Sequence, residues 1–153
     1  MRDQNIRWQW YEWAQLPPDV LYGFLKLRSD IFVVEQNCVF SDMDGVDPLC
    51  DHLCGFDDKG LVLVYLRLLP PGLKFPEVSL GRLVTSPDAR RGGCAREALR
   101  LGLERLRQKF PGHTVRIGGQ QYMEKFYASV GFVSTGQPYL EDGIPHVEML
   151  MRL

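Results

Sequence analysis

Alternating apolar and polar positions mark the first element of the chain. Residues 6–13 read IRWQWYEW, and alternation of this kind is typical of a half-buried β-strand. The stretch Pro17-Pro18-Asp19 then opens a helix, because the apolar residues after it recur at helical spacing. Those residues are Val20, Leu21, Phe24, Leu25, Leu27 and Ile31. We expect this helix to end near Val34 or Glu35.

The middle of the chain combines strands with one amphipathic helix. Two apolar runs flank Asp57-Asp58-Lys59-Gly60, which predicts a β-hairpin. A strand is expected over residues 78–85, VSLGRLVT, followed by a helix that begins at the glycines 92–93 and ends near Lys109. The run HTVRIGG, residues 113–119, predicts the next strand. This order indicates a βαβ unit.

The last third of the chain predicts one more helix and a closing pair of strands. Residues 121–130, QYMEKFYASV, have a helical pattern that Gly131 is suited to cap. Strands are expected over residues 132–140 and 146–153, joined through Glu141-Asp142-Gly143. The whole pattern favours one α/β domain over residues 1–153, with an antiparallel first half.

Charge and hydropathy exclude several classes of partner. The 153 residues include 18 Lys and Arg against 19 Asp and Glu, a net charge of -1, so bulk attraction to nucleic acid or anionic lipid is not expected. The N-terminal residues carry charges and amides where a signal peptide is apolar. The longest apolar run, LVLVYLRLL, is interrupted by Arg67 and is shorter than the roughly 18–20 residues of a spanning helix. We therefore expect a soluble, cytoplasmic protein.

The four cysteines raise the question of a metal site. Cys50, His52 and Cys54 cluster, and Cys38 would be needed to complete a zinc set. No second ligand pair lies at a matching distance, however, and alternate positions in a strand point to one face. Reduced thiols beside a strand are therefore the favoured interpretation, and no metal is expected.

Two adjacent glycines stand at the start of the central helix, in ARRGGCAREALRLGLERL, residues 89–106. The first N–H groups of a helix have no internal partner, and the helix dipole adds positive charge there. Residues without side chains let an anion reach those N–H groups, so the turn suits a phosphate or pyrophosphate. Neither a P-loop nor a dinucleotide fingerprint matches the spacing. A strand-to-helix turn that serves only packing remains the alternative.

The spacing Arg90-x-x-Gly93-x-Ala95 after a strand resembles the signature of GNAT-type acyl-CoA N-acyltransferases. The run from Phe126 to Phe132, FYASVGF, matches a second motif of that family. Three further stretches, LRSDIFVVEQNC, DMDGVDPLCDH and EDGIPHVEM, resemble its ElaA-like branch. The resemblance extends over nearly the whole chain.

The resemblance implies a fold and an activity. The fold would be a GNAT-like α/β fold, with a mixed, mostly antiparallel central sheet of about six to seven strands, about four flanking helices and splayed strands at the cofactor slot. The activity would be direct transfer of an acetyl group from acetyl-CoA to the primary amine of a small molecule or peptide. The alternative is an acyl-CoA-binding regulatory or interaction module without catalysis. The aromatic first strand is also compatible with an interface in a homodimer.

The resemblance also implies where acetyl-CoA would bind. Its pyrophosphate would rest on the turn, its pantetheine arm would pair with the strand around Leu83, and the acyl group would enter the slot. The expected cofactor-binding residues are Leu83, Val84, Arg90, Arg91, Gly92, Gly93, Cys94, Ala95, Arg96, Gln120 and Phe126. Cys94 replaces the bulky aliphatic residue that is frequent in the family. Gly118-Gly119 is expected to make the end of its strand unusually flexible.

Acyl transfer to an amine needs a proton donor for the thiolate and, for the amine, a base. A phenol of pKa about 10 stays protonated at neutral pH, so Tyr127 is the expected donor, with simple packing as its alternative role. The candidates for the base are Glu35, Asp44, Asp47, His52, Glu141, Asp142 and His146. Of these, Glu35 and His146 are the expected catalytic residues. The expected substrate-binding residues are Glu35, Asp44, His52, Glu141 and Asp142. This acidic set favours a cationic amine, although Asp142 also suits a turn and the loop around Asp44 also suits plain solvation.

Overall fold

The first four strands form one antiparallel sheet. The computed structural model describes residues 5–153. Residues 1–4, which begin the N-terminal segment that lacks the pattern of a signal peptide, lie outside the described residues. The strands are β1 (Arg7–Glu12), β2 (Asp51–Phe56), β3 (Val62–Leu69) and β4 (Ser79–Thr85), paired in the order β1-β2-β3-β4. The predicted hairpin is thus β2–β3. Every residue of β3 is buried, because helices cover both faces of the sheet.

Three α-helices form within residues 5–153, where about four were expected. They are α1 (Pro18–Arg28), α2 (Cys94–Lys109) and α3 (Glu124–Ala128). The first continues as a π-helical segment, Ser29–Glu35, so the chain stays helical as far as predicted. The helix expected over residues 121–130 is shorter, because Gln121–Met123 forms a 3-10 turn and Gly131 takes a φ of 112°. None of the helices within residues 5–153 has the length and apolarity needed to span a bilayer.

The second sheet is built from the C-terminal strands. These are β5 (Thr114–Gln120), β6 (Val133–Ser134), β7 (Tyr139–Glu141) and β8 (Ile144–Arg152). Strand β8 lies between β5 and β6 and also pairs with β7, in each case antiparallel. The single strand expected over residues 132–140 is split in two, because the intervening residues include Gly136 and Pro138, which interrupt strand pairing. The sheets together hold eight strands within residues 5–153, more than the six to seven expected.

The two sheets meet at a single point. Val78 and Val115 form an isolated parallel bridge, and the Arg116 N–H donates to the Val78 carbonyl at 3.0 Å. Among the pairings recorded for residues 5–153, no other joins the two sheets, so β4 and β5 diverge beyond the bridge. Helix α2 connects them, which confirms the βαβ unit and the splayed strands. This divergence opens the cleft described next.

Candidate active site

A cavity of about 140 Å³ lies where β4 and β5 diverge. Its walls come from the end of the π-helical segment, the loop that follows it, β4, β5, α3 and the β7–β8 hairpin. Six of the residues with an expected role line it: Leu83, Gln120, Tyr127, Glu141, Asp142 and His146. The cavity is close in size to one that holds a benzene molecule, so a short acyl group fits.

Two glycines at the end of β5 let aromatic rings close on the strand from both sides. A Cβ on Gly119 would lie 3.1 Å from Cε2 of Tyr127, and a Cβ on Gly118 would lie 2.5 Å from the Tyr139 hydroxyl. Successive residues of a strand face opposite ways, so Tyr127 and Tyr139 flank β5 on opposite faces. The glycines expected to make the strand flexible therefore serve a close approach of the two rings.

Tyr127 lies on the helix-covered face of the second sheet. Its ring packs edge-on against Phe126 and Phe132, at centroid distances of 5.4 and 5.8 Å, and its side chain is buried. Burial raises the pKa of Tyr127 well above the ordinary value of a phenol. The hydroxyl is therefore protonated at neutral pH. Tyr127 therefore packs against its aromatic neighbours and also lines the cleft.

His146 lies on the opposite face. It pairs with Gln120 across β5 and β8, and paired residues of antiparallel strands share a face. Its Nδ1 lies 2.7 Å from the Ile144 carbonyl oxygen, which can only accept, so Nδ1 carries the proton of the neutral ring. Nε2 then presents its lone pair 3.4 Å from Oε2 of Glu141. This tautomer leaves Nε2 able to accept a proton.

The glycine turn leaves the start of α2 open. Gly93 is the N-cap residue with a φ of 80°, no side chain caps the helix, and a Cβ built there would meet nothing within 4 Å. A shallow cavity at the turn is lined by Thr85, Ala89, Arg90, Arg91, Gly93, Cys94, Ala95, Arg96 and Phe126. The expected cofactor-binding residues from Arg90 to Arg96 and Phe126 are thus brought together, with Gly92 inside the same turn. Val84 instead packs in the core under α1.

The side chains at the turn have defined partners. The thiol of Cys94 donates to the Ala89 carbonyl at 3.2 Å and is buried, so Cys94 anchors the turn from below. Arg96 packs over the Phe126 ring at 5.4 Å and donates to the Ser129 hydroxyl at 3.0 Å. Arg90 makes a two-pronged ion pair with Glu35, at 2.7 and 2.8 Å. The hydrogen bond from Arg90 lowers the pKa of Glu35, which weakens this carboxylate as a base.

The acidic loop after the π-helical segment is neutralised by buried arginines. Asp42 accepts from Arg28 and Arg82 at 2.8 and 2.9 Å, and Asp47 accepts from Arg28 and Arg67 at 2.8 and 2.9 Å. Both carboxylates are largely buried. We refer to Arg28, Arg67, Arg82, Asp42, Asp44 and Asp47 as the ion cluster.

The ion cluster corrects two expectations about substrate binding. Asp44 accepts two hydrogen bonds from Arg67, at 2.9 and 2.5 Å, so its charge is already matched. Burial alone would raise the pKa of Asp44, but the hydrogen bonds and charge of Arg67 lower it far below its usual value. His52 has 0% exposure, and its ring nitrogens contact the Tyr65 hydroxyl at 2.5 Å and the Asp47 carbonyl at 2.9 Å. The structure therefore places neither residue at the cleft.

Arg67 and Arg82 of the ion cluster line the cavity, and sequence reasoning missed them together with their buried neighbour Arg28. One signal was present: Arg67 interrupts the otherwise apolar strand β3, and a charge in a buried strand demands a partner. Arg28 likewise follows Phe24 by one helical turn and faces the core.

No group of three or more His, Cys, Asp or Glu in residues 5–153 is arranged to hold a metal ion. Burial raises the pKa of the Cys54 thiol to about 12.

Comparison with known proteins identifies the family. A family model described as an acetyltransferase (GNAT) domain matches residues 74–153. Protein ElaA of Escherichia coli is 36% identical over 94% of this chain and 95% of its own length. A UPF0039 protein of Synechocystis is 33% identical over 97% of each chain.

Solved structures agree with the sequence relatives. The crystal structure of an acyl-CoA N-acyltransferase from Pseudomonas aeruginosa matches with a TM-score of 0.89 at 34% identity, over 95% of this chain and 99% of that one. The crystal structure of Escherichia coli ElaA matches with a TM-score of 0.88 at 32% identity, over the same shares. The chain belongs to the GNAT acetyltransferase family. Within that family, its relatives place it in the ElaA-like branch.

The ion cluster generates a stability prediction. Arg28→Met leaves the buried carboxylates of Asp42 and Asp47 short of one partner, so we expect a loss of about 3–5 kcal/mol in the free energy of unfolding at pH 7. Burial alone would raise the pKa of Asp47, but the hydrogen bonds and charges of Arg28 and Arg67 together lower it in the folded protein; this stabilisation is present above the unfolded pKa and is lost as pH falls. The difference between the two proteins should therefore shrink below about pH 4.

Urea unfolding at pH 7 and at lower pH measures both effects. The matched control is Lys26→Met on the same helix, which removes the exposed Lys26–Asp30 pair and should cost under about 1 kcal/mol. Equal losses for the two variants at pH 7 would contradict the assigned role of the ion cluster.

Proposed function

We propose that this protein is an acetyl-CoA-dependent N-acetyltransferase that moves an acetyl group directly to the primary amine of a small molecule or peptide. One observation carries the proposal: Tyr127 and His146 line one cleft from opposite faces of β5, and the open turn of α2 lies on the Tyr127 side. An acid on the donor side and a base on the acceptor side are what acyl transfer to an amine requires.

The chain's own residues are suited to hold the donor. The N–H groups at the start of α2, with Arg91 and Arg96 beside them, would bind its pyrophosphate. Strand β4 carries a bulge, where Arg82 has a φ of 53° and the pairing with β3 shifts register. Leu83 follows this bulge and lines the cavity, so its backbone is placed to pair with the pantetheine arm. When bound, the donor supplies the acyl thioester.

Tyr127 holds a proton at the donor side of the cleft. Its hydroxyl oxygen would give that proton to the sulfur as the thiolate leaves. The burial that raises the pKa of Tyr127 would also raise the pKa of a thiol leaving at the same place. The pKa values of the tyrosine and of the thiol therefore shift in the same direction. The raised pKa therefore does not argue against the role.

His146 is the base that the geometry favours. Its ring lines the cleft with Nε2 unprotonated in this tautomer, and Glu141 lies close enough to stabilise the imidazolium that proton uptake produces. Glu35 is the weaker candidate because, unlike His146, it does not line the cavity. Glu141 and Asp142 remain as acids at the cleft, and Lys74 lies 3.8 Å from Glu141. These acids support an amine acceptor by charge complementarity.

Replacing the proposed acid should separate turnover from binding. Tyr127→Phe keeps the ring and its packing but removes the proton, so kcat should fall by about 10²–10⁴-fold. The Kd for acetyl-CoA, measured by calorimetry, should change little. Thiol release with a panel of primary amines measures turnover, and Tyr22→Phe, at an exposed position of α1, is the matched control. Unchanged turnover in Tyr127→Phe would remove this residue from the mechanism.

Replacing the proposed base should change the pH profile. The side-chain amide of Asn can still donate to the Ile144 carbonyl, but it has no basic nitrogen in place of Nε2. His146→Asn should therefore lower kcat/KM and abolish the fall in kcat/KM that the proposal predicts for the wild type on acidification. A profile of unchanged shape would assign the base elsewhere.

Wild-type protein that binds acetyl-CoA but releases no thiol with any amine would support the regulatory binding module instead.

A further inference from the structure

The pair of Glu35 and Arg90 connects two parts of the molecule that border the donor site. Glu35 ends the π-helical segment, and Arg90 belongs to the turn before α2. Both side chains are partly exposed, 44% for Glu35 and 40% for Arg90, yet the contact is two-pronged at 2.7 and 2.8 Å. Arg90 also donates to the Thr85 carbonyl at 3.4 Å, which keeps the guanidinium near the end of β4.

A second contact fixes the residue after Glu35. Gln36 and Gln120 exchange amide hydrogen bonds in both directions, at 3.2 and 3.1 Å. The end of the π-helical segment is thereby tied to the end of β5, across the cleft that both glutamines line. This amide pair holds Glu35 opposite the turn without involving any charged group of the turn.

The carboxylate of Glu35 presents to Arg90 the same chemistry as a phosphate. A guanidinium offers a planar fork that binds either a carboxylate or a phosphate through two N–H donors. A phosphate at the turn would also gain the N–H groups and the positive end of α2, which Glu35 does not contact. An exposed ion pair contributes little free energy, so such an anion can displace the carboxylate.

We propose that Glu35 is a displaceable occupant of Arg90, and that binding of the donor's pyrophosphate transfers Arg90 from the Glu35 carboxylate to a phosphate oxygen. Glu35 is then a positioning residue: it holds Arg90 at the turn before the donor arrives and competes with the donor for it. The inference rests on the proposed function, since it takes the turn as the pyrophosphate site.

Calorimetry with CoA at low ionic strength tests the exchange. Glu35→Gln removes the competing charge and keeps the shape, so CoA should bind about two- to fivefold tighter, the range expected for one exposed ion pair. The control Glu104→Gln removes an exposed carboxylate of α2 that pairs with Arg100, and it should leave CoA affinity unchanged. Thermal unfolding of each variant establishes that it is folded.

The decisive comparison repeats Glu35→Gln in an Arg90→Gln background. If the two groups compete as proposed, Arg90→Gln weakens CoA binding and the gain from Glu35→Gln disappears. A gain of equal size in both backgrounds, or no gain in the wild-type background, would overturn the exchange and leave the proposed function intact. Folded wild-type protein that binds no CoA would overturn both.

Discussion

The divergence of β4 from β5 is the constraint on which the rest of the site depends. The strands meet only at the Val78–Val115 bridge, among the pairings recorded for residues 5–153, and helix α2 then carries the chain from one strand to the other. Backbone groups that would have paired across the gap are left to face the cleft. The same gap lets side chains from both faces of the second sheet reach one cavity, which is why Tyr127 and His146 line the same cleft.

The wall of the cleft next to β4 is held by charge and not by apolar packing alone. Asp42 joins Arg28 of α1 to Arg82 of the β4 bulge, so one carboxylate fixes a helix against a strand. Buried ion pairs contribute little net stability but are costly to break, because a lost partner leaves a charge without water. The acidic loop thus shapes the wall of the cleft, and the acids that line the cleft outside the ion cluster are Glu141 and Asp142 of the β7–β8 hairpin.

The local pattern of apolar residues and glycines predicted most of the helices and strands. The contacts between residues that are distant in sequence could not be predicted from that pattern. The strands, α2 and the glycine turn followed from periodicity and from glycine, since both depend on near neighbours in sequence. The charge pairs did not, because Asp47 and Arg67 lie far apart along the chain and only the folded sheet brings them to 2.9 Å. The same limit applied to Gly118 and Gly119, whose role required knowing that Tyr139 and Tyr127 close on β5. The short strands β6 and β7 depend on pairing with β8, which local pattern does not contain.

Binding of acetyl-CoA to the turn of α2 is the central claim, and calorimetry on Gly93→Asp tests it most directly. The substitution places a carboxylate where the pyrophosphate would sit, and Asp tolerates the left-handed φ of 80° better than most residues. Gly60→Asp is the matched control: its φ is 84°, a Cβ there also meets nothing within 4 Å, and it lies in the β2–β3 hairpin. Our account predicts tight binding by the wild type and Gly60→Asp and none by folded Gly93→Asp. Equal binding by all three, or none by the wild type, would contradict it.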